Sequence, residues 1–330
     1  MPVTGVVASS FQFGITRHAI AFTSTTSPYV FAYYWASAGF GSKFADPATI
    51  PSSSGAFSSF SPGSTLICIG LQVYPWSNGF GTKYTDLVSP PTGATRLRFN
   101  PATTVATMKG STSPYFYAYA WSSGFGSKFA DPASLPTSAN EGIFNNAGTA
   151  VVVSMSGSPY LAAYPWSSGF GTRYANPASL PSGAVSGTSF NTADDVLAVN
   201  TSTSPYVNAY AWSSGFGSKY ADPSSLPFGA GSGVPTWKFD GTSVVFPLPA
   251  QSGATAPVSY TWSAGFGSRG LPQSGVAGGN SVSFNRDGLA IAFTGAASGI
   301  SVYPFGVGYS LTKYSNPPSA PTNSAAVSFV

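Results

Sequence analysis

Charge is what this chain most lacks. Only 7% of its 330 residues are Asp, Glu, Lys or Arg, against about 25% in an average soluble protein. Nine acids and one histidine leave little material for a carboxylate-rich or His-based metal centre. A single cysteine, Cys68, excludes an intramolecular disulfide framework. No apolar run reaches the length of a membrane-spanning helix. Met1–Gly5 lacks a charged region followed by an apolar core, so no secretory signal is expected. The net charge of +4 is mild and has no Lys/Arg block of the kind that marks a nucleic-acid arm. No segment joins a 3.6-residue period to helix formers and caps. What is abundant is Gly (38), Pro (28) and aromatics (15%), a composition that excludes intrinsic disorder.

One phrase recurs along the chain. It reads SPYVFAYYWASAGFGSKFADPATIP from Ser27, SPYFYAYAWSSGFGSKFADPASLP from Ser113, SPYLAAYPWSSGFGTRYANPASLP from Ser158 and SPYVNAYAWSSGFGSKYADPSSLP from Ser204. Weaker copies begin at Leu71, Pro257 and Ile300. The landmarks Trp35, Trp76, Trp121, Trp166, Trp212, Trp262 and Phe305 lie 41 to 50 residues apart, with a mean of 45. A period near 40–45 with several short strands per copy signals a β-propeller. Each copy resolves into four strand-like pieces: a strand ending in Phe and a turn, a short apolar run such as AVVVSM, the strand that ends at the landmark, and GSKFADP or a relative. In Ser204–Trp212, large and small residues alternate, yet both faces are mostly apolar. Such a strand suits a blade packed between two neighbours.

The expected fold is therefore all-β: one seven-bladed propeller over residues 1–330, about 45 residues per four-stranded blade. The tail 320–330, containing AAVSFV, copies the first strand of the repeat and is expected to close the ring. Gly5–Phe13 also contains a first-strand match, which leaves open which terminus supplies the inner position of blade 1. Blade 6 has Gly270-Leu271-Pro272 where other copies have Phe or Tyr, and a truncated outer strand is expected there.

The consensus YPWSSGFGTKYADPASLPSG, and the phrase GFG-(S/T)-(K/R)-(F/Y) above all, resembles the repeats of WD40-like propeller proteins of tailed bacteriophages. The resemblance implies a virion structural or surface protein without enzymatic activity, in tail, neck or capsid, assembled in a host cytoplasm. Other virion proteins are then the expected partners, with a host-surface glycan as a second; no nucleic-acid or membrane partner is implied. A lectin-like adhesin with repeated glycan sites is the alternative.

One basic residue recurs per copy: Lys43, Lys83, Lys128, Arg173, Lys219, Arg269 and Lys313. These would form a ring able to hold an anion or an acidic partner. Asp or Asn three residues later, in six copies, offers the plainer reading of turn caps or ion pairs. Phe40, Phe80, Phe125, Phe170, Phe216 and Phe266, each between two glycines, either plug blade junctions or face a partner. Tyr29, Tyr115, Tyr160 and Tyr206 read as core. No catalytic, cofactor or metal residues are expected. Outside the repeated position the acids are Glu141, Asp194, Asp195, Asp240 and Asp287, and nothing singles out a pair of the kind a glycosidase needs. His18 is alone, and Cys68 reads as buried strand.

Overall fold

The computed structural model describes residues 18–330 apart from 54–56, 232, 249–256, 271–280, 296–298, 307, 311, 318 and 321–323. Gly5–Phe13 and its first-strand match lie outside the described residues. Seven antiparallel sheets form, each a blade.

Blade 1 is Ala19–Ser24, Val30–Ala36 and Gly39–Lys43, with Ser324–Phe329 on its inner edge. Blade 2 is Ser58–Phe60, Leu66–Ile69 and Gln72–Pro75. Blade 3 is Thr95–Phe99, Val105–Lys109, Phe116–Trp121 and Phe125–Lys128, and blade 4 is Glu141–Phe144, Ala150–Ser154 and Leu161–Pro165. Blade 5 is Val185–Phe190, Val196–Thr201, Val207–Trp212 and Phe216–Lys219. Blade 6 is Thr236–Trp237, Ser243–Phe246, Val258–Trp262 and Phe266–Gly270. Blade 7 is Ser281–Phe284, Ala290–Gly295 and Gly299–Pro304.

The C-terminus supplies the inner strand of blade 1. Ile20 pairs with Phe329 and Phe22 with Val327, so residues some 300 apart in sequence close the ring. The outer strand of blade 6 is not truncated before Gly270, which pairs with Ser259.

Three blades depart from the expected four strands, and proline explains which. In blades 2, 4 and 7 the residue before the landmark is Pro75, Pro165 or Pro304. The landmark N–H turns inward, as Trp76 and Trp166 donate to Thr65 O and Thr149 O. The preceding residue therefore faces outward, and proline has no N–H to give an outer strand. Pairing there shrinks to the isolated bridges Trp76–Phe80, Trp166–Phe170 and Phe305–Tyr309.

The alternation read in the third strand is what packs the blades. Tyr210 and Trp212 of blade 5 join a cluster with Val152 and Ala163 of blade 4. Val207 and Ala209, on the opposite face, join Val244, Phe246 and Tyr260 of blade 6. The large face of one blade thus enters the small face of the one before it, and both are buried. In blades 3, 4 and 5 the hairpin between first and second strands is fixed by a Phe-Asn signature. The Asn145 side-chain oxygen accepts the N–H groups of Thr149 and Ala150, and Asn100 and Asn191 do the same. Tyr29, Tyr115, Tyr160 and Tyr206 fall in turns before the third strand instead of within it. They adopt φ of 64–69° and are half-buried.

Every tryptophan landmark sits in a box of three rings. Trp166 meets Phe170 of its own loop at 4.9 Å, Phe144 of its own inner strand at 5.2 Å and Phe129 of the preceding blade at 5.1 Å. Trp35 receives Phe40, Phe329 and Tyr314, so the closing strand delivers the same ring as any inner strand. Blade 7 is the exception. The preceding blade has Gly270 where the others place Phe or Tyr, and the landmark itself shrinks to Phe305, which keeps Phe284 and Tyr309. Tyr309 adds its own cross-blade tether there, its hydroxyl donating to Pro257 O at 3.2 Å.

Candidate functional site

The inner strands surround an axial channel of about 570 Å3. The residue just before each inner-strand aromatic ring faces it. That residue is Ser59, Ser189, Ser283 or Ser328 in four blades, Thr236 in blade 6 and Ile143 in blade 4. Blade 3 alone places a charge there, Arg98. The Ser189 hydroxyl is held only by a long contact of 3.4 Å to a wall carbonyl and so is free to turn toward a ligand. Ser59 reaches Leu97 O at 3.5 Å and also bonds the Cys68 thiol, and Ser283 reaches Phe284 O at 3.4 Å while accepting the Phe329 N–H at 3.2 Å.

Arg96 joins Arg98 through a local distortion. The pairing register of the blade 3 inner strand shifts between Thr95 and Arg98, and Arg96 takes a φ of 57°. A bulge of this kind re-aims side chains, here two guanidiniums toward one point. Both donate to Glu141 at the start of the blade 4 inner strand: Arg96 through Nη1 to Oε2, Arg98 through Nε to Oε1. Glu141 is fully buried behind them and does not itself line the channel. The arginine side chains remain 28% and 26% exposed. Arg98 also rests over the Phe57 ring of blade 2 at 4.6 Å. Two cations on one carboxylate leave a net charge of +1. Lys109, at the end of the second strand of blade 3, adds another. Its pKa is lowered from the lysine value, first by burial and then by Arg96, against the pull of Glu141. The wall is therefore electropositive on one side and hydroxyl-lined elsewhere, an arrangement that stabilises negative charge in a confined site.

The basic residues singled out in the sequence lie apart, one at the outer edge of each blade. Lys43, Lys83, Lys128 and Lys219 pair with Asp46, Asp86, Asp131 and Asp222 of their own blades at 2.5–2.7 Å. Arg173 donates to Asn176 at 2.9 Å, and Arg269 reaches back to Leu226 O of the preceding blade. Burial lowers the pKa of Lys313. The six phenylalanines are half-buried and each meets the Trp of its own blade nearly edge-on, at 4.9–5.3 Å. Among the other acids, Asp194 accepts the N–H groups of Asn146 and Ala147 and clasps blade 4 to blade 5. A second pocket of about 520 Å3 lies between blades 7 and 1, walled by Trp35, Phe305, Tyr309 and Tyr314. Cys68 is buried, and burial pushes its thiol pKa up.

The Arg96–Glu141–Arg98 cluster escaped the sequence reading because Glu141 was weighed as one acid seeking a second. The signal lay in comparing the copies. With the inner strands aligned on their final aromatic residue, the channel-facing column is Ser or Thr except in blades 3 and 4.

No protein-family model matches the chain, and no curated protein is similar to it in sequence. Solved structures do resemble it. A 6-phosphogluconolactonase candidate from Bacteroides fragilis shares 10% identity over 96% of this chain and 98% of its own, with a TM-score of 0.73. Another, from Bacteroides uniformis, shares 11% over 95% and 99%, at 0.68. A periplasmic gluconolactonase from Pseudomonas aeruginosa shares 10% over 95% and 99%, at 0.69. At such identity the likeness shows the fold. It also corrects the expectation of a non-catalytic phage-virion protein, together with its lectin-like alternative, because propellers of this shape carry enzyme names. The copies also differ beside the axis, where Arg96, Arg98 and Glu141 meet.

Proposed function

We propose that the protein hydrolyses a small, hydroxyl-rich lactone in the axial channel. The arginine pair held by Glu141 carries this reading. Among the described residues the channel wall holds no carboxylate or imidazole, so its chemistry is electrophilic. Guanidinium N–H groups polarise the ring carbonyl and stabilise the oxyanion that forms when water adds. The serine and threonine hydroxyls of the other blades serve the ligand's own hydroxyls. The sugar-lactone class is supported by the names of the similar propellers.

The test is acid release from glucono-1,5-lactone, followed by titration at constant pH. The comparison variant is R96Q/E141Q/R98Q, which removes all three charges together and leaves none buried alone. The wild type is expected to exceed the spontaneous rate, and the variant to lose about 100-fold, the scale of one lost oxyanion donor or more. A wild-type rate equal to the spontaneous one overturns the reading.

A further inference from the structure

We infer that the axial site binds the open sugar acid more tightly than the lactone it comes from, so that the product holds its own site. This rests on the lactonase reading above and adds to it the preferred ligand and a form of regulation.

The argument begins with what hydrolysis does to charge. The oxygen of water bonds to the ring carbonyl carbon, and the ring C–O bond breaks. The leaving alkoxide takes a proton, and the new carboxylic acid loses one to solvent. A neutral ligand thus becomes an anion inside a cluster of net charge +1, with Lys109 close by. Glu141 does not use up the donors. It engages one nitrogen of each guanidinium, Arg96 Nη1 and Arg98 Nε, and the remaining N–H groups have no protein partner among the described residues. A lactone carbonyl offers those donors a neutral acceptor. A carboxylate offers two charged oxygens whose spacing matches a guanidinium fork, and such bonds are about twice as strong. The donors that stabilise the oxyanion therefore hold the product better than the substrate.

Three wall residues, Ser58, Thr188 and Ser328, carry buried hydroxyl oxygens with no partner among the described residues. Ser58 follows Phe57, over which Arg98 rests, while Thr188 and Ser328 lie on blades 5 and 1, where the polyol chain of an opened sugar acid would extend.

Calorimetry with gluconate and with sorbitol, a neutral polyol of similar size, tests this without any turnover. Gluconate is expected to bind at least about tenfold more tightly, with the advantage shrinking as salt rises. R96Q/E141Q/R98Q, checked for an unchanged melting curve, is expected to bind both alike. R96Q alone is expected to lose part of the preference. Equal binding of the two ligands by the wild type overturns the inference, as does a preference that survives in the triple variant. Acetate binding as tightly as gluconate would mark a generic cationic patch and also overturn it. Lactone turnover without selective gluconate binding sinks this inference alone. Selective gluconate binding without turnover sinks the lactonase reading instead.

Discussion

Replacing Trp166 with alanine tests the packing logic of the whole ring. Trp166 is 7% exposed and its three ring partners come from two blades and three segments: Phe129, Phe144 and Phe170. A tryptophan side chain buries about 150–250 Å2. At about 25 cal/mol per Å2, truncation to a methyl group costs about 3–5 kcal/mol, the range seen for buried aromatic-to-alanine changes. The box cannot collapse to recover this, because Phe144 is anchored in a strand and Phe129 belongs to the neighbouring blade. Trp166→Phe is expected to cost far less, about 1–2 kcal/mol, since blade 7 already accommodates Phe305 at the equivalent place. Phe305→Ala, with one ring partner fewer, should cost less than Trp166→Ala. Equilibrium urea unfolding of the three variants, followed by far-UV circular dichroism and by fluorescence, gives the ranking. A loss below about 1 kcal/mol for Trp166→Ala, or a larger loss at Phe305, would refute the reasoning.

Other expectations follow from single features. Deleting Ala325–Val330 removes most of the inner strand of blade 1 and exposes the edge of Ala19–Ser24; the melting temperature should fall and aggregation rise, and an unchanged melt would defeat the closure argument. The Lys128–Asp131 pair is more than a third exposed on both sides, so a double-mutant cycle should return a coupling of about 0–1 kcal/mol. Alkaline stability should be limited by tyrosine. Burial raises the Tyr74 and Tyr164 hydroxyls to about 12, so their contribution is complete below pH 10 and is lost as pH rises from 10 toward 12; melting temperature and tyrosinate absorbance against pH should change together in that window. Cys68 is buried with a raised pKa, and a thiol reagent should label it only as the chain unfolds.

The propeller was legible because it repeats. Seven landmark rings set the blade count, and the AAVSFV tail announced its own role in closure. Where the sequence reading fell short, single residues decided. Pro75, Pro165 and Pro304 stand just before their landmarks in the sequence, yet the missing N–H that reduces an outer strand to one bridge went unread. The substitution at Gly270 was visible, but its consequence appeared one blade later, at Phe305. The axial cluster was hidden for a different reason. Arg96 and Glu141 are 45 residues apart, and they face each other only because a bulge turns one strand and the ring brings the next blade beside it. Repetition therefore drew attention to the outer-edge lysines, which are mostly paired within their own copies, and away from the positions where the copies differ.

Closure by residues 324–329 also sets an order of events during synthesis. Six blades draw all their described strands from contiguous stretches of chain and can form as they leave the ribosome. Blade 1 cannot. Its first strand emerges first yet gains its inner partner last, so a nascent chain carries an unpaired apolar edge through nearly the whole of translation. Pauses or truncations late in the message should therefore be far more damaging than their few residues suggest. The axial channel takes part of its wall from that strand, so it exists only once residues 324–329 have been made and docked.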